Sequence, residues 1–242
     1  MVNSSPTFSP LYQQIKGLIM HSLESGEWRP GEAIPSEIEL AARYKVSQGT
    51  VRKAIDELAA ENYLMRRQGK GTFVATHDEA RAQFRFLRLT PDQGPQEYAE
   101  SRLLDCKHAR ASAEIARLLE LKTGDSLTVL RRVLYFTGEP TVFEQLYLPD
   151  TLFRNLTSEI FNEYKGSMYK LFETEFGTRM MHAAEKIRAV AADAATADLL
   201  RVSPDTPLLC VERVAYTYGD KPVEFRRGYY RTDKHYYRNE LG

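Results

Sequence analysis

The chain has 242 residues, 33 basic against 33 acidic, with 43% hydrophobic and 27% charged residues. That is the make-up of an ordinary globular protein of two domains or one large one, and the zero charge balance speaks against a protein that coats DNA by neutralising phosphate over its whole surface. No apolar run approaches the length of a membrane span, the first ten residues lack the basic start and apolar core of a secretory signal, and two cysteines, Cys106 and Cys210, are too few for a disulfide framework or a zinc site. The expected setting is therefore cytoplasmic, without membrane partner, metal or cofactor.

Residues 1–9 read as a loose tail. From Pro10 to about Ser25, Leu11, Ile15, Leu18, Ile19 and Leu23 fall on one stripe of a core helix. Trp28 and an Arg29-Pro30-Gly31 turn follow. Ser36 and Glu39 then form a capping-box pair that starts a helix running to about Tyr44. Ser47 caps the next helix, in which Val51, Ala54, Ile55 and Leu58 recur at helical spacing and bury one face. The other face presents Gln48, Gly49, Arg52 and Lys53, side chains suited to a helix in a major groove. Gly49 is a poor helix former, explained either by close backbone approach to DNA or by tolerance in an end turn.

Two short strands, Tyr63 to Arg67 and Thr72 to Ala75, flank Gln68-Gly69-Lys70-Gly71, whose glycines permit a tight turn. Between Arg43 and Lys70 there are seven basic residues (Arg43, Lys45, Arg52, Lys53, Arg66, Arg67, Lys70) and three acidic ones (Asp56, Glu57, Glu61). Taken alone, such a run is as well explained by a solvated face. The order of capped helix, capped helix and basic glycine hairpin favours a local phosphate-binding patch.

Residues 77–83 are polar and charged and read as a linker between a domain over 1–76 and a second over 84–242. From Phe84 onward aromatic and β-branched residues become frequent. The second domain carries an internal repeat at a constant offset of 81: Ile115-Ala116-Arg117-Leu118-Leu119 through Leu130-Arg131-Arg132-Val133 aligns with Thr196-Ala197-Asp198-Leu199-Leu200 through Val211-Glu212-Arg213-Val214. Each copy reads as a short helix, a turn, a strand and a hairpin back, at Gly138-Glu139-Pro140 and at Gly219-Asp220-Lys221-Pro222. Neither copy is large enough to bury a good core alone, so one shared antiparallel sheet with helices packed on it, an α+β domain, is the economical solution. Between the copies lie a helix from about Ser167, ended by Gly177, and an extended stretch from Met180 to Ala192.

The N-terminal third resembles the winged helix-turn-helix of the GntR family of bacterial regulators. The resemblance rests on Pro10-Leu11-Tyr12, Pro30-Gly31, Pro35-Ser36-Glu37, Val46-Ser47, Thr50-Val51-Arg52 and Arg67-Gln68-Gly69-Lys70-Gly71-Thr72-Phe73-Val74. It implies DNA contact from Glu37, from Ser47, Gln48, Gly49, Thr50, Arg52 and Lys53 at the recognition helix, and from Gln68, Gly69 and Lys70 in the wing. This chain departs from the family pattern at Ile38 and Gln48, where arginine is usual; Arg commonly reads guanine and Gln adenine.

The second domain is similar to the UTRA effector-binding domain of the HutC branch, a chorismate-lyase-like fold. Here the resemblance is carried by Arg132 with Gly138, Pro140 and Glu144, by Tyr147-Leu148-Pro149, by Ser167 with Tyr169, and by Pro222-Val223-Glu224 with Tyr230-Arg231. It implies a homodimer and a pocket for a small, often anionic metabolite bound by Arg132, Glu144, Ser167, Glu224 and Tyr230. Each has a plain alternative. Arg132 is equally suited to pair with a carboxylate of the sheet, Glu144 and Glu224 to accept from ligand hydroxyls or to hold Arg132, Ser167 to cap its helix rather than to meet an anion, and Tyr230 to pack. Leu134 stands where the family commonly has a second arginine, and the segment after Phe84 is short. A carboxylate or aromatic acid is therefore expected rather than a sugar phosphate.

The function expected is a ligand-responsive, sequence-specific transcription regulator, a repressor released by a small acidic metabolite, acting as a dimer on double-stranded operator DNA. The alternative is a chorismate-lyase-like enzyme tethered to DNA. The histidines at 21, 77, 108, 182 and 235 are scattered singly and no nucleophile–base pair or metal cluster is visible, so no catalytic residue is expected.

Overall fold

The computed structural model describes residues 9–76, 88–95, 98–164 and 166–239. The expected linker over 77–83, the start of the second domain at Phe84 to Phe86, and most of the 1–9 tail lie outside the described residues. The chain divides into two compact units, Met1–Thr76 and His77–Gly242.

In the first unit, α1 (Leu11–Glu24), α2 (Glu37–Tyr44) and α3 (Gln48–Ala60) precede a hairpin of β1 (Leu64–Arg67) and β2 (Gly71–Val74). The caps form as the sequence implies. The Ser36 hydroxyl accepts from the Glu39 amide at 3.3 Å, and the Glu39 carboxylate accepts from the Ser36 amide at 2.7 Å, leaving two fewer unpaired donors at the helix start. The Ser47 hydroxyl accepts from the Thr50 amide at 3.2 Å. Ile15, Ile19, Leu23, Trp28, Leu40, Val51, Ala54, Ile55 and Leu58 are buried and form the core of this unit. Leu11 and Leu18, expected on the same stripe, are about half exposed. The 31–34 segment joins the hairpin: Ile34 N–H donates to Thr72 O and Val74 N–H to Glu32 O, each at 2.9 Å, and Ala33 bridges Phe73.

The second unit is built on one six-stranded antiparallel sheet. Its strands are β4 (Glu100–Arg110), β5 (Ser126–Phe136), β6 (Glu139–Pro149), β7 (His182–Ala191), β8 (Pro207–Tyr216) and β9 (Pro222–Tyr230), in the spatial order β4-β5-β6-β9-β8-β7. That order is a palindrome of the repeat. Helix α4 (Ala113–Leu118) precedes β5 as α7 (Ala194–Leu200) precedes β8, with Ser112 and Asp193 as equivalent N-caps. The repeat also begins one strand earlier than the sequence suggests, because β4 and β7 occupy corresponding edges. Both are largely exposed and carry no shared apolar pattern.

The two faces of the sheet are covered differently. On one, α7 packs Ala197 and Leu200 on Val133 and Phe143, while α4 packs Ile115 and Ala116 on Leu127 and Phe225. On the other, α5 (Ser158–Glu163) and α6 (Met168–Phe176) cover Leu130, Leu146 and Leu148. At the far end of this second face, a ribbon of β3 (Leu89–Pro91) and β10 (His235–Tyr237) brings Leu89 and Tyr237 onto Leu134, Phe136, Val142 and Tyr230. Between these two apolar clusters lie the charged residues described below. Among the described residues, no helix is long and apolar enough to cross a membrane.

Candidate nucleic-acid interface and effector site

Glu37, the first residue of α2, gathers the polar groups of the first unit. Its carboxylate accepts from Gln48 Nε2 at 3.2 Å and Arg52 Nε at 2.9 Å, both on α3, and from Arg66 Nη2 at 3.0 Å on β1. Arg66 also donates to Asp56 at 2.7 Å. Arg52 first, and Arg66 after it, hold the Glu37 carboxyl below its ordinary range. One carboxylate thus ties α3 to the hairpin. Together these elements line a groove of about 420 Å³, bounded by Glu37, Ile38, Gln48, Arg66, Gln68 and Gly69.

Gln68, Gly69 and Lys70 sit exposed at the hairpin tip, where Gly69 and Gly71 have φ of 69° and 107°, values that L-residues rarely adopt. Ser47 and Thr50 are engaged in the cap and with each other at 2.8 Å. Lys53 points elsewhere: its ammonium lies 3.8 Å from the Tyr12 ring centroid, a cation–π contact with α1. At Gly49 a built Cβ would meet only Ser47 Oγ at 3.9 Å. The fold itself does not demand glycine there, which leaves the two explanations given above standing.

The second unit buries a set of charges on the face between α6 and the β3–β10 ribbon. Arg132 and Glu144 are directly opposite in the β5–β6 register, and the guanidinium donates to Glu144 Oε2 from Nε at 2.8 Å and Nη2 at 2.6 Å. Arg226 donates to Glu144 Oε1 at 3.1 Å, to Glu224 Oε1 at 2.8 Å and to the Tyr169 hydroxyl at 3.1 Å. Tyr169 donates to Glu224 Oε1 at 3.3 Å and Tyr230 to Glu144 Oε1 at 3.4 Å. Arg213 pairs with Glu185 at 2.6 Å, and Glu185 also accepts from Tyr237.

Three guanidiniums thus face three carboxylates and the set carries no net charge, which suits a burial that costs several kcal/mol per unpaired ion. Desolvation would raise the Glu144 carboxyl, but Arg226 and then Arg132 outweigh it and hold it at about 2. Burial pushes Tyr230 well above the usual phenol range and Tyr237 up to about 12. Glu224 Oε2 is buried and accepts no hydrogen bond among the described residues.

Of the five effector residues expected from the sequence, Arg132, Glu144, Glu224 and Tyr230 belong to this set. Ser167 caps α6, accepting from the Lys170 amide at 3.3 Å; the residues that follow it, Met168 and Tyr169, reach Arg226. Leu134 is buried in the apolar cluster at the ribbon. The cation absent there does not leave the face poor in positive charge, since Arg213 and Arg226 supply two. Both escaped the sequence reading. Arg213 had a signal, because it is the repeat mate of Arg132 at the 81-residue offset, and Tyr169 stands in the Ser167-x-Tyr169 pattern that carries the resemblance; Arg226 and Glu185 had none beyond their residue types. Among the described residues no group of metal-ligating side chains is assembled.

Comparison with known proteins agrees with this architecture. Residues 11–74 match the bacterial regulatory proteins of the gntR family and residues 96–236 match the UTRA domain. The chain is 30% identical over 230 residues to the uncharacterized HTH-type transcriptional regulator YurK of Bacillus subtilis strain 168, covering 92% of this chain and 91% of YurK. It is 28% identical to the histidine utilization repressor of Pseudomonas putida, covering 90% and 87%. Among solved structures, the ligand-binding domain of a GntR-family transcriptional regulator from Bordetella bronchiseptica superposes with a TM-score of 0.63 at 52% identity, covering 65% of this chain and 98% of that one. A winged helix-turn-helix joined to a UTRA domain, matched along nearly the whole chain, places this protein in the GntR family of bacterial transcriptional regulators, in its HutC-type branch.

Proposed function

We propose that the protein is a ligand-responsive repressor that binds an operator of two-fold symmetry as a homodimer and is released by a small acidic metabolite. The observation that carries this reading is the buried, charge-balanced set around Glu144, placed in a chain that also exposes a recognition helix and wing locked together by Glu37. Buried ion pairs contribute little net stability compared with apolar packing. Six charged side chains joined in four ion pairs on one sheet face, flanked by apolar clusters on both sides, are better explained by a polar ligand than by the needs of the fold.

Arg132 is the member suited to receive the acid. Its side chain is 9% exposed against 5% for Arg226 and 2% for Arg213. A ligand carboxylate can take its planar fork while Glu144 keeps Arg226 and Tyr230. Glu224 Oε2 then offers an acceptor to a hydroxyl or amino group on the same ligand. Binding that favours one arrangement of the two DNA-binding units over another changes operator affinity by the same coupling free energy.

A thermal-shift screen of the full chain against organic acids, amino-acid catabolites and sugar phosphates tests the reading. A true effector raises the melting temperature in proportion to the logarithm of its concentration, and Arg132→Ala removes the shift. Micromolar binding of a sugar phosphate with no response to any carboxylic acid contradicts the acidic-metabolite assignment.

A further inference from the structure

In the groove between α2, α3 and the hairpin, one wall residue is out of place by polarity. Ile38 is 68% exposed, the largest exposure among the large hydrophobic side chains described. It stands among Ser36, Glu37, Gln48, Arg66 and Gln68. An exposed aliphatic side chain on a surface otherwise made of charges and amides has no internal packing to explain it.

The neighbouring polar residues are already committed. Both Glu37 oxygens are taken, by Gln48 and Arg52 on one and Arg66 on the other. Three donors, two of them guanidiniums, thus hold and neutralise that carboxylate. Gln48, in turn, gives one N–H to Glu37 and retains its other N–H and its Oε1, the donor–acceptor pair that matches the N7 and N6 edge of adenine. The feature of an A·T pair that lies beside this edge in the major groove is the thymine 5-methyl group, and the group that recognises a methyl is an apolar side chain.

We propose that Ile38 is a specificity-determining residue that contacts a thymine 5-methyl group beside the base pair read by Gln48, so that the half-site is A·T-selective at these steps. The inference rests on the reading of this groove as the DNA-contacting face.

The test uses the full-length protein and a duplex selected from a random pool by the wild-type chain. Each selected thymine in the half-site is replaced in turn by deoxyuridine, which removes only the methyl group. The expected result is one position at which the change weakens binding about four-fold per half-site, the equivalent of one buried methyl. At that position Ile38→Ala binds the thymine and uracil duplexes equally, while Ile38→Val keeps part of the difference. Equal binding of thymine and uracil at every position by the wild type overturns the proposal, as does a methyl preference that survives in Ile38→Ala. A wild-type chain that selects no sequence at all instead overturns the DNA-binding reading itself, so the two failures are told apart. The wild-type comparison stands whether or not a variant folds.

Discussion

Arg132 and Glu144 face each other across β5 and β6 with two hydrogen bonds to one carboxylate oxygen, while Arg226 and Tyr230 hold the other. Glu144 is thus the shared acceptor of two buried cations, and its side chain is 0% exposed. Replacing it by Gln leaves both guanidiniums short of an anion in a dry site. The expected cost is about 3–5 kcal/mol in denaturant unfolding. Arg132→Met costs less, because Glu144 keeps Arg226.

The same residue sets an acid limit on stability. Its folded-state carboxyl sits at about 2 against an ordinary 4.5. A depressed carboxyl contributes stability that is fully present above the unfolded value and is lost as pH falls through the folded one. The window is therefore pH 4.5 down to 2, and the contribution is about 3 kcal/mol. Melting temperatures measured across this range fall steeply for the wild type and less steeply for Glu144→Gln. Equal slopes would remove Glu144 from the account.

Gly228 lies opposite Glu144 in the β6–β9 register, and a Cβ built on it comes within 2.6 Å of the Tyr230 ring. The glycine is needed for this close approach, since its backbone is ordinary extended strand. Gly228→Ala forces the Tyr230 ring from its place over the sheet, with a destabilisation of about 1–3 kcal/mol. Effector response, read by thermal shift, weakens with it. A variant with unchanged stability and unchanged response would show that the ring moves freely.

Glu37→Gln releases Arg52 and Arg66 from a common partner. These groups are exposed or partly exposed and contribute little to stability, so the melting temperature stays nearly constant. Removing the acid raises affinity for non-specific DNA, while the loss of alignment lowers affinity for the selected duplex. The ratio of specific to non-specific affinity falls, by about ten-fold, a modest share of the specificity such regulators hold. A ratio that stays constant would mean that Glu37 does not position the arginines.

Much of this was legible in the sequence where local chemistry decides local structure. Ser36 with Glu39, Ser47 with Thr50, and the glycines at 69 and 71 act within a few residues, and each formed as read. The repeat announced a shared sheet because its helix and central strand are buried and keep apolar positions in step. Its outer strands did not announce themselves: β4 and β7 are sheet edges, half solvated, with no pattern to conserve between copies. The charged set was only half legible for a related reason. Arg132 and Glu144 are close in sequence and lie in one hairpin, whereas Arg226 meets Glu144 across 82 residues and Tyr169 across 57, separations at which spacing carries no signal. The helical face of Lys53 points to the groove, but the partly buried Tyr12 ring of α1 competes for it.

The most direct test of the account is a fluorescence anisotropy titration of the full-length protein on its selected two-fold duplex, with and without the acid identified by thermal shift. The expected result is tight binding to the selected sequence, release on adding the acid, and an Arg132→Ala variant that binds the duplex as the wild type does but is not released. Release of Arg132→Ala by the same acid at the same concentration would contradict it.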